Sequence, residues 1–125
     1  MKVLLSIKPE FVEKIFSGEK RFEYRKSIFK QQNIDTIVIY STMPVGMIVG
    51  EFKFKTIHAN SPKIIWEKTK KYSGISEDFF YNYFKNKDTA FAIEIEKVRK
   101  YKEPLNPHIL TTKFTAPQSF CYIDF

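Results

Sequence analysis

Residues 18–25 read GEKRFEYR. This stretch predicts the end of a helix followed by a strand, and the prediction of the fold starts from it. Gly18 favours the left-handed conformation that ends a helix, and the residues after it alternate charged and aromatic side chains at the period of a strand. Glu23 and Arg25 therefore point to the same side. Lys20 has the opposite parity, so it joins them only if it lies in the turn before the strand or if a bulge resets the phase.

By spacing alone, this charged run has a structural explanation. A Lys-x-x-Glu-x-Arg pattern on an edge strand most often forms cross-strand ion pairs on a solvated face, each worth less than about 1 kcal/mol. No chemistry requires residues in this pattern. The spacing therefore favours a solvated strand face over a functional site.

Apolar periodicity on both sides of this stretch predicts an α+β domain. The predicted strands cover residues 2–7, 20–26, 35–42, 47–58, 89–102 and 120–125, and the predicted helices cover 9–17 and follow the N-cap residues Ser61 and Ser76. Pro104 and Pro107 are expected to break the chain before the last strand. No linker or repeat divides the sequence, so residues 1–125 are predicted to form one domain, a mixed barrel with helices inserted in its middle.

The same patterns place particular side chains. Residues 27–33 are predicted to form a surface loop that contains Phe29. The buried helix residues are expected to be Ile64, Ile65, Trp66 and Thr69 in the second helix and Phe79, Phe80, Tyr83 and Phe84 in the third. The cross-strand ion pairs are expected to join Glu94 and Glu96 to Lys53 and Lys55. Gly50 marks either a bulge or a close approach by a ligand.

Composition and charge narrow the class of partner. The chain has 21 Lys and Arg against 14 Asp and Glu, a formal charge of +7 and a pI near 9.4. This balance suits a polyanion such as nucleic acid, although lysine is also a common solubilising residue. The 13 Phe, 7 Tyr and single Trp can fill a core or, where exposed, stack on bases. Composition leaves both uses open.

Cysteine usage and hydropathy indicate the compartment. A single cysteine excludes an intramolecular disulfide, which fits a reducing environment. The apolar run at residues 1–7 is too short for a signal peptide and is followed at once by charged residues. No segment approaches the roughly 18 apolar residues of a membrane helix. We therefore expect a cytoplasmic protein with no membrane partner.

Residues outside the opening stretch give weaker signals. His58 and His108 lie far apart and outside any tight ligand spacing, so no metal is expected, and no cofactor motif is present. Cys121 is expected to pack as a small apolar residue. Residues 97–102, KVRKYK, interleave four cations with one aromatic residue. That run is typical both of a phosphate-tracking strip and of a solvated edge strand.

Three segments together resemble a known family. SIKP at residues 6–9, the Gly-x-Lys-x-x-Glu-x-Arg frame of residues 18–25, and APQSF at residues 116–120 are similar, in this order, to the ASCH (activating signal cointegrator homology) domain family. The resemblance covers essentially the whole chain. It implies an α+β fold, a PUA-like mixed β-barrel with peripheral helices, similar to the PUA RNA-binding domains.

The resemblance also implies a cleft beside the barrel that receives nucleic acid or a nucleoside. Carried over by position, the residues of this cleft are Lys8, Lys20, Glu23, Arg25, Gln118 and Ser119. Arg25 and Lys8 are suited to hold phosphate. Glu23 is suited to accept from a base amino group or to orient Arg25, and Gln118 offers both a donor and an acceptor to a base edge.

Two activities in the family bear on catalysis. One branch removes the acetyl group from N4-acetylcytidine with a lysine and, three residues later, a threonine nucleophile. This chain has Glu23 at the threonine position, and a carboxylate does not replace a hydroxyl in acyl transfer, although it can serve as a base for water. Other members are reported as ribonucleases, for which Lys20 and Glu23 form either an acid–base pair or a simple salt bridge.

The favoured hypothesis is a nucleic-acid-binding ASCH domain, directed to RNA and without catalysis of its own. The first alternative is a hydrolase that acts on a modified nucleoside or on RNA through Lys20 and Glu23. The second alternative is a sensor whose cleft binds a nucleotide-like small ligand.

Overall fold

The structure, a computed structural model, describes residues 1–110 and 114–124. Its strands are β1 (Lys2–Ile7), β2 (Phe22–Arg25), β3 (Thr36–Ser41), β4 (Met47–Asn60), β5 (Ala90–Leu105) and β6 (Phe120–Ile123). Its helices are α1 (Pro9–Ser17), α2 (Pro62–Thr69) and α3 (Glu77–Tyr83), with short 3-10 turns at Lys70–Tyr72 and Pro107–Ile109. Within these described ranges, no helix has the length and apolar character needed to cross a membrane. Phe125, which ends the last predicted strand, lies outside the described residues.

The strands form one sheet in the order β2-β5-β4-β3-β1-β6. β1 and β3 run parallel, and the other neighbouring strands run antiparallel. The sheet curls into a half-barrel whose edge strands are β2 and β6. The predicted α+β class and mixed sheet are therefore confirmed.

Apolar side chains cover both faces of the curled sheet. On one face, Val12 and Ile15 of α1 pack against the buried residues Val3, Leu5, Ile7, Ile37, Ile39, Phe52 and Ile93. A second cluster joins Tyr24 of β2 to α2 and α3 through Ile65, Trp66, Phe80 and Phe84. On the other face, Leu4 and Val38 lie under side chains of the C-terminal segment. The short strand β2, which pairs with β5, is thus packed against the α2–α3 pair.

The end of α1 determines where Lys20 lies. Gly18 takes a left-handed φ of 86°, as its position after a helix predicts. The N–H of Lys20 then donates to the carbonyl of Lys14 at 3.0 Å, and β2 begins only at Phe22. Lys20 therefore lies in the turn before the strand. This is one of the two conditions under which Lys20 is expected to join the charged side chains of β2.

The structure corrects two predictions of burial, at Ile64 and Phe79, and shows one buried aromatic residue within the predicted surface loop. Phe29 is only 7% exposed, because the loop of residues 27–33 folds its aromatic side chain into the principal core. Ile64 is 42% exposed, since the two-turn helix α2 directs Ile65 inward instead. Phe79 is 37% exposed because α3 buries the neighbouring residue on its inner face, leaving Phe79 on the flank towards α1.

Register shifts in β4 alter its predicted cross-strand pairs. The pairing with β5 slips between Lys53 and Phe54 and again before Ile57. As a result, Lys53 lies opposite Lys97, and Glu94 contacts His58 at 2.8 Å. The predicted pairing of Glu94 with a lysine of β4 is therefore wrong, because each bulge moves the charges along the strand.

One backbone prediction needs correction, and at Gly50 the structure supports the bulge, one of the two predicted alternatives. Strand β5 continues through Pro104 to Leu105, so the expected break comes only at Pro107, which opens a 3-10 turn. At Gly50, the close approach comes from the chain itself. A Cβ there would lie 2.6 Å from the Arg99 carbonyl oxygen and 2.8 Å from the Phe16 ring, and the register with β5 shifts at this point.

Candidate functional site

A cleft of about 310 Å³ opens where α1, β2 and α3 meet. Its polar lining residues are Ser6, Lys8, Lys20, Glu23, Arg25 and Gln118, and its apolar and aromatic ones are Ile7, Phe11, Tyr24, Ile75, Phe79 and Tyr83. Five of the six residues carried over by the family resemblance thus lie around one cleft. The sixth, Ser119, is not among the lining residues, and its backbone carbonyl accepts a hydrogen bond from Arg25.

Lys20 lies at the floor of the cleft and is 2% exposed. Its ammonium donates to the carbonyl of Ser73 at 2.9 Å and lies 4.0 Å from Oε1 of Glu23. It also lies 4.8 Å from the centre of the Tyr24 ring. Burial lowers the pKa of Lys20 to about 8; the Glu23 carboxylate opposes this shift, and the charge of Lys14 adds to it. Lys20 can therefore exchange a proton close to neutral pH.

Glu23 links the two cations of the cleft floor. Its Oε2 accepts from Nη1 of Arg25 at 3.2 Å, while its Oε1 faces Lys20. The three side chains carry a net charge of about +1 when Lys20 is protonated. The floor is thus a compact cluster of ion pairs, and all three side chains are buried. It is not the solvated strand face that the spacing alone favours.

Arg25 connects three parts of the fold. Besides Glu23, its guanidinium donates to the carbonyl of Ser6 at 3.3 Å and to that of Ser119 at 2.6 Å. These acceptors lie near the end of β1 and just before β6. Arg25 therefore ties β2, one edge of the half-barrel, to the segment that leads into the other edge. Much of its hydrogen-bonding capacity is used inside the protein.

Tyr24 separates the cleft from the second core. Its hydroxyl lies 2.7 Å from Oγ1 of Thr69, and burial raises the pKa of Tyr24 well above its ordinary value. Tyr24 therefore remains neutral at physiological pH. Its ring forms part of the apolar wall against which Lys20 rests.

The aromatic wall of the cleft is the part that sequence reasoning missed. Phe11 and Phe79 meet edge to face, with ring centres 5.3 Å apart, and Tyr83 follows one turn after Phe79 on α3. The apolar pattern of α3 contains Phe79 and Tyr83, but it favours the core for the whole aromatic stripe. Only the packing of α3 against α1 shows that its flank faces the cleft.

The other sequence signals lie away from this cleft. Cys121 is half-buried, and burial raises the pKa of its thiol, in keeping with a packing role. The cations of the 97–102 strip are exposed on the part of β5 that extends beyond its pairing with β2. Among residues 1–110 and 114–124, no group of three His, Cys, Asp or Glu side chains is arranged to hold a metal ion.

Comparison with known proteins gives the family. The model of the ASCH domain matches residues 5–99. ATP synthase subunit alpha of Ureaplasma parvum is 31% identical over 103 residues, which is 82% of this chain but only 13% of that protein. The ASCH domain-containing ribonuclease of Zymomonas mobilis is 26% identical across 98% of this chain and 84% of its own length.

The fold agrees with a solved member of the same family. The crystal structure of ASCH from Zymomonas mobilis matches with a TM-score of 0.90 and 25% identity, covering 98% of this chain and 87% of that one. The PUA-like α+β fold implied by the resemblance is thereby confirmed. From its family-model match and its fold, this chain belongs to the ASCH domain family.

Proposed function

We propose that this ASCH domain binds single-stranded RNA and that its cleft receives one unstacked base. The observation that carries the proposal is the combination, in one cleft, of aromatic walls with a buried, charged floor. Proteins that recognise unpaired RNA commonly stack its bases on aromatic side chains and contact the base edges with polar groups. The volume of about 310 Å³ lies at the lower end of the range for ligand sites, which suits a single base.

Each part of the cleft has a place in this proposal. Phe79, which is partly exposed, offers its ring for stacking. Glu23 retains free lone pairs for a base amino group, because a carboxylate has about four acceptor sites. Gln118 offers a donor and an acceptor to a base edge. Arg25 orients Glu23, since two backbone carbonyls already occupy its guanidinium.

Two further observations support RNA as the ligand. The formal charge of +7 favours a polyanion. A relative that aligns with 98% of this chain carries the name ribonuclease. Charge by itself also suits other polyanions, so the test uses single-stranded RNA with the corresponding DNA as a competitor.

Phe79→Ala is expected to weaken RNA binding roughly 5- to 150-fold, because base–aromatic stacking is worth about 1–3 kcal/mol. Fluorescence anisotropy with a short labelled single-stranded RNA measures the affinity. Tyr81→Ala is the matched control, since Tyr81 is a similarly exposed aromatic residue of α3 that does not line the cleft. Equal affinities for wild type and Phe79→Ala would show that the base does not bind in this cleft.

A second candidate function is RNA cleavage, and the observation that favours it is the position of Lys20. Its amine lies inside the cleft, and its pKa is lowered to about 8. A neutral amine there can take the proton of a ribose 2′-hydroxyl as that oxygen attacks the adjacent phosphorus. The new 2′-oxygen–phosphorus bond forms as the bond to the 5′-oxygen breaks. The products are a 2′,3′-cyclic phosphate and a 5′-hydroxyl, which takes its proton from water.

If Lys20 acts as this base, the rate of RNA cleavage is expected to increase about tenfold for each unit of rising pH below pH 8 and then to level off. The reason is that only the neutral amine accepts a proton. Lys20→Arg keeps the positive charge but cannot deprotonate in this range, so it should lose the turnover. Cleavage of a labelled RNA is measured by gel, with RNA affinity and circular dichroism measured alongside. A folded Lys20→Arg that retains the wild-type rate would exclude Lys20 as the base.

A further inference from the structure

Two exposed lysines flank the aromatic wall of the cleft. Nζ of Lys8 lies 5.4 Å from the centre of the Phe79 ring, and Nζ of Lys26 lies 4.6 Å from the centre of the Tyr83 ring. Both rings line the cleft. Lys26 is absent from the residues that the family frame implies, because it follows that frame by one position.

The fold brings these two lysines to the same helix from different elements. Lys8 is the N-cap of α1, and its carbonyl accepts from two N–H groups of the first turn, which fixes its backbone. Lys26 follows directly after β2. Phe79 and Tyr83 are four residues apart on α3, just over one helical turn or about 6 Å along the axis. The two ammonium groups are thus held at successive positions along one edge of the cleft.

These rim cations differ from the cations of the floor. Lys20 and Arg25 both pair with the Glu23 carboxylate. In the part of the chain that the structure describes, neither Lys8 nor Lys26 forms an ion pair with a carboxylate, and each ammonium contacts an aromatic face. A cation–π contact positions an ammonium and leaves its N–H groups free to donate. The rim therefore adds two uncompensated positive charges to the cleft mouth.

We propose that Lys8 and Lys26 contact the two phosphates on either side of the base in the cleft. The ligand is then an internal nucleotide of a polynucleotide strand, rather than a free nucleoside or a terminal nucleotide. This inference rests on the proposed RNA-binding function and defines its substrate class. A nucleoside leaves both lysines without an anion, and a monophosphate satisfies only one of them.

The salt dependence of RNA binding tests the two contacts directly. For single strands, the slope of log affinity against log salt decreases by about 0.7 for each phosphate contact that is lost. Lys8→Ala and Lys26→Ala should each reduce the slope by about 0.7, and the double variant by about 1.4. Lys63→Ala is the control, because Lys63 is an exposed lysine of α2 outside the cleft, and its slope should equal that of wild type.

Competition experiments test the ligand class independently. Unlabelled nucleoside, nucleoside monophosphate and trinucleotide compete with the labelled RNA on wild type and on the double lysine variant. We expect the trinucleotide to compete best on wild type, and its advantage over the nucleoside to shrink at least tenfold on the double variant.

The outcomes separate this inference from the proposed function. If Phe79→Ala weakens binding while both lysine variants keep the wild-type slope, the base site stands and the phosphate contacts are wrong. A nucleoside that competes as well as the trinucleotide on wild type also overturns the inference. If wild type binds no RNA at any salt concentration, the proposed function and this inference both fail.

Discussion

Arg25→Ala is expected to lower the free energy of unfolding by about 3–5 kcal/mol, the usual cost of removing one partner from a buried ion pair. Arg25 is only 9% exposed, and its guanidinium contacts a carboxylate and two carbonyls. Its removal leaves Glu23 buried with only the more distant Lys20 as a cation, 4.0 Å away. It also removes the bond between β2 and the segment before β6.

Urea denaturation and thermal melting followed by circular dichroism measure this effect. A loss of this size should lower the melting temperature by roughly 10 °C or more. Arg21→Ala is the control, because Arg21 is an exposed arginine of the same segment that stacks on Tyr72. The free energy of unfolding of Arg21→Ala should lie within about 1 kcal/mol of the wild-type value.

A second substitution distinguishes the buried charge from lost packing. Arg25→Met keeps most of the side-chain volume but removes the charge, so it should restore only a minor part of the stability lost in Arg25→Ala if the unpaired Glu23 carboxylate is the main cost. If Arg25→Ala is as stable as wild type, Arg25 is not the cross-link that its contacts indicate. The expected instability also means that weak RNA binding by Arg25→Ala is informative only for folded protein.

The local elements could be predicted from the sequence because their signals are local. Pro9 begins α1 and Gly18 ends it at the predicted residues, and the central strand β3 lies within the predicted range. The parity of β2 also correctly places Glu23 and Arg25 together. These features depend on residues only a few positions apart, where backbone preferences and periodicity determine the outcome.

Long-range packing determines what the sequence could not show. Lys20 is buried by the loop after α2, which begins 53 positions later along the chain at Ser73. Phe79 belongs to the cleft because α3 packs beside α1. The pairing of Glu94 with His58 depends on bulges in β4 that no turn residue marks. The sequence therefore showed the charged residues Lys20, Glu23 and Arg25. Their burial, and the aromatic wall of the cleft, became apparent only from the tertiary structure.

Gly74→Ala is expected to be nearly as damaging, with a loss of about 2–5 kcal/mol, because two costs combine at this residue. Gly74 has a φ of +69°, and an alanine pays roughly 1–2 kcal/mol for that conformation. Its Cβ would also lie 2.5 Å from Cβ of Lys20 and 2.7 Å from its Cγ. Overpacking of this kind costs about 1–3 kcal/mol. Because the clash is with the base of the lysine side chain, the loop itself must move.

Gly18→Ala provides the matched comparison. Gly18 has a similar φ of +86°, but a Cβ added there would meet nothing within 4 Å. Gly18→Ala should therefore lose only the stability that the left-handed backbone conformation costs an alanine. The difference in unfolding free energy between the two variants therefore isolates the contact between Gly74 and Lys20. Equal losses in the two variants would mean that the loop moves aside without resistance.

The same displacement should change the proton affinity of Lys20. Moving the loop admits water around the Lys20 ammonium, and because burial is the main cause of its low pKa, the pKa should rise from about 8 towards its ordinary 10.5. In wild type the folded-state pKa lies below the unfolded value, so the unfolded chain binds more protons between these values. Lys20 therefore contributes stability that increases with pH across this window, and that increase should be smaller in Gly74→Ala. A 13C NMR titration of the Lys20 side chain measures the pKa directly, and an unchanged value in a destabilised Gly74→Ala would show that the loop does not control this amine.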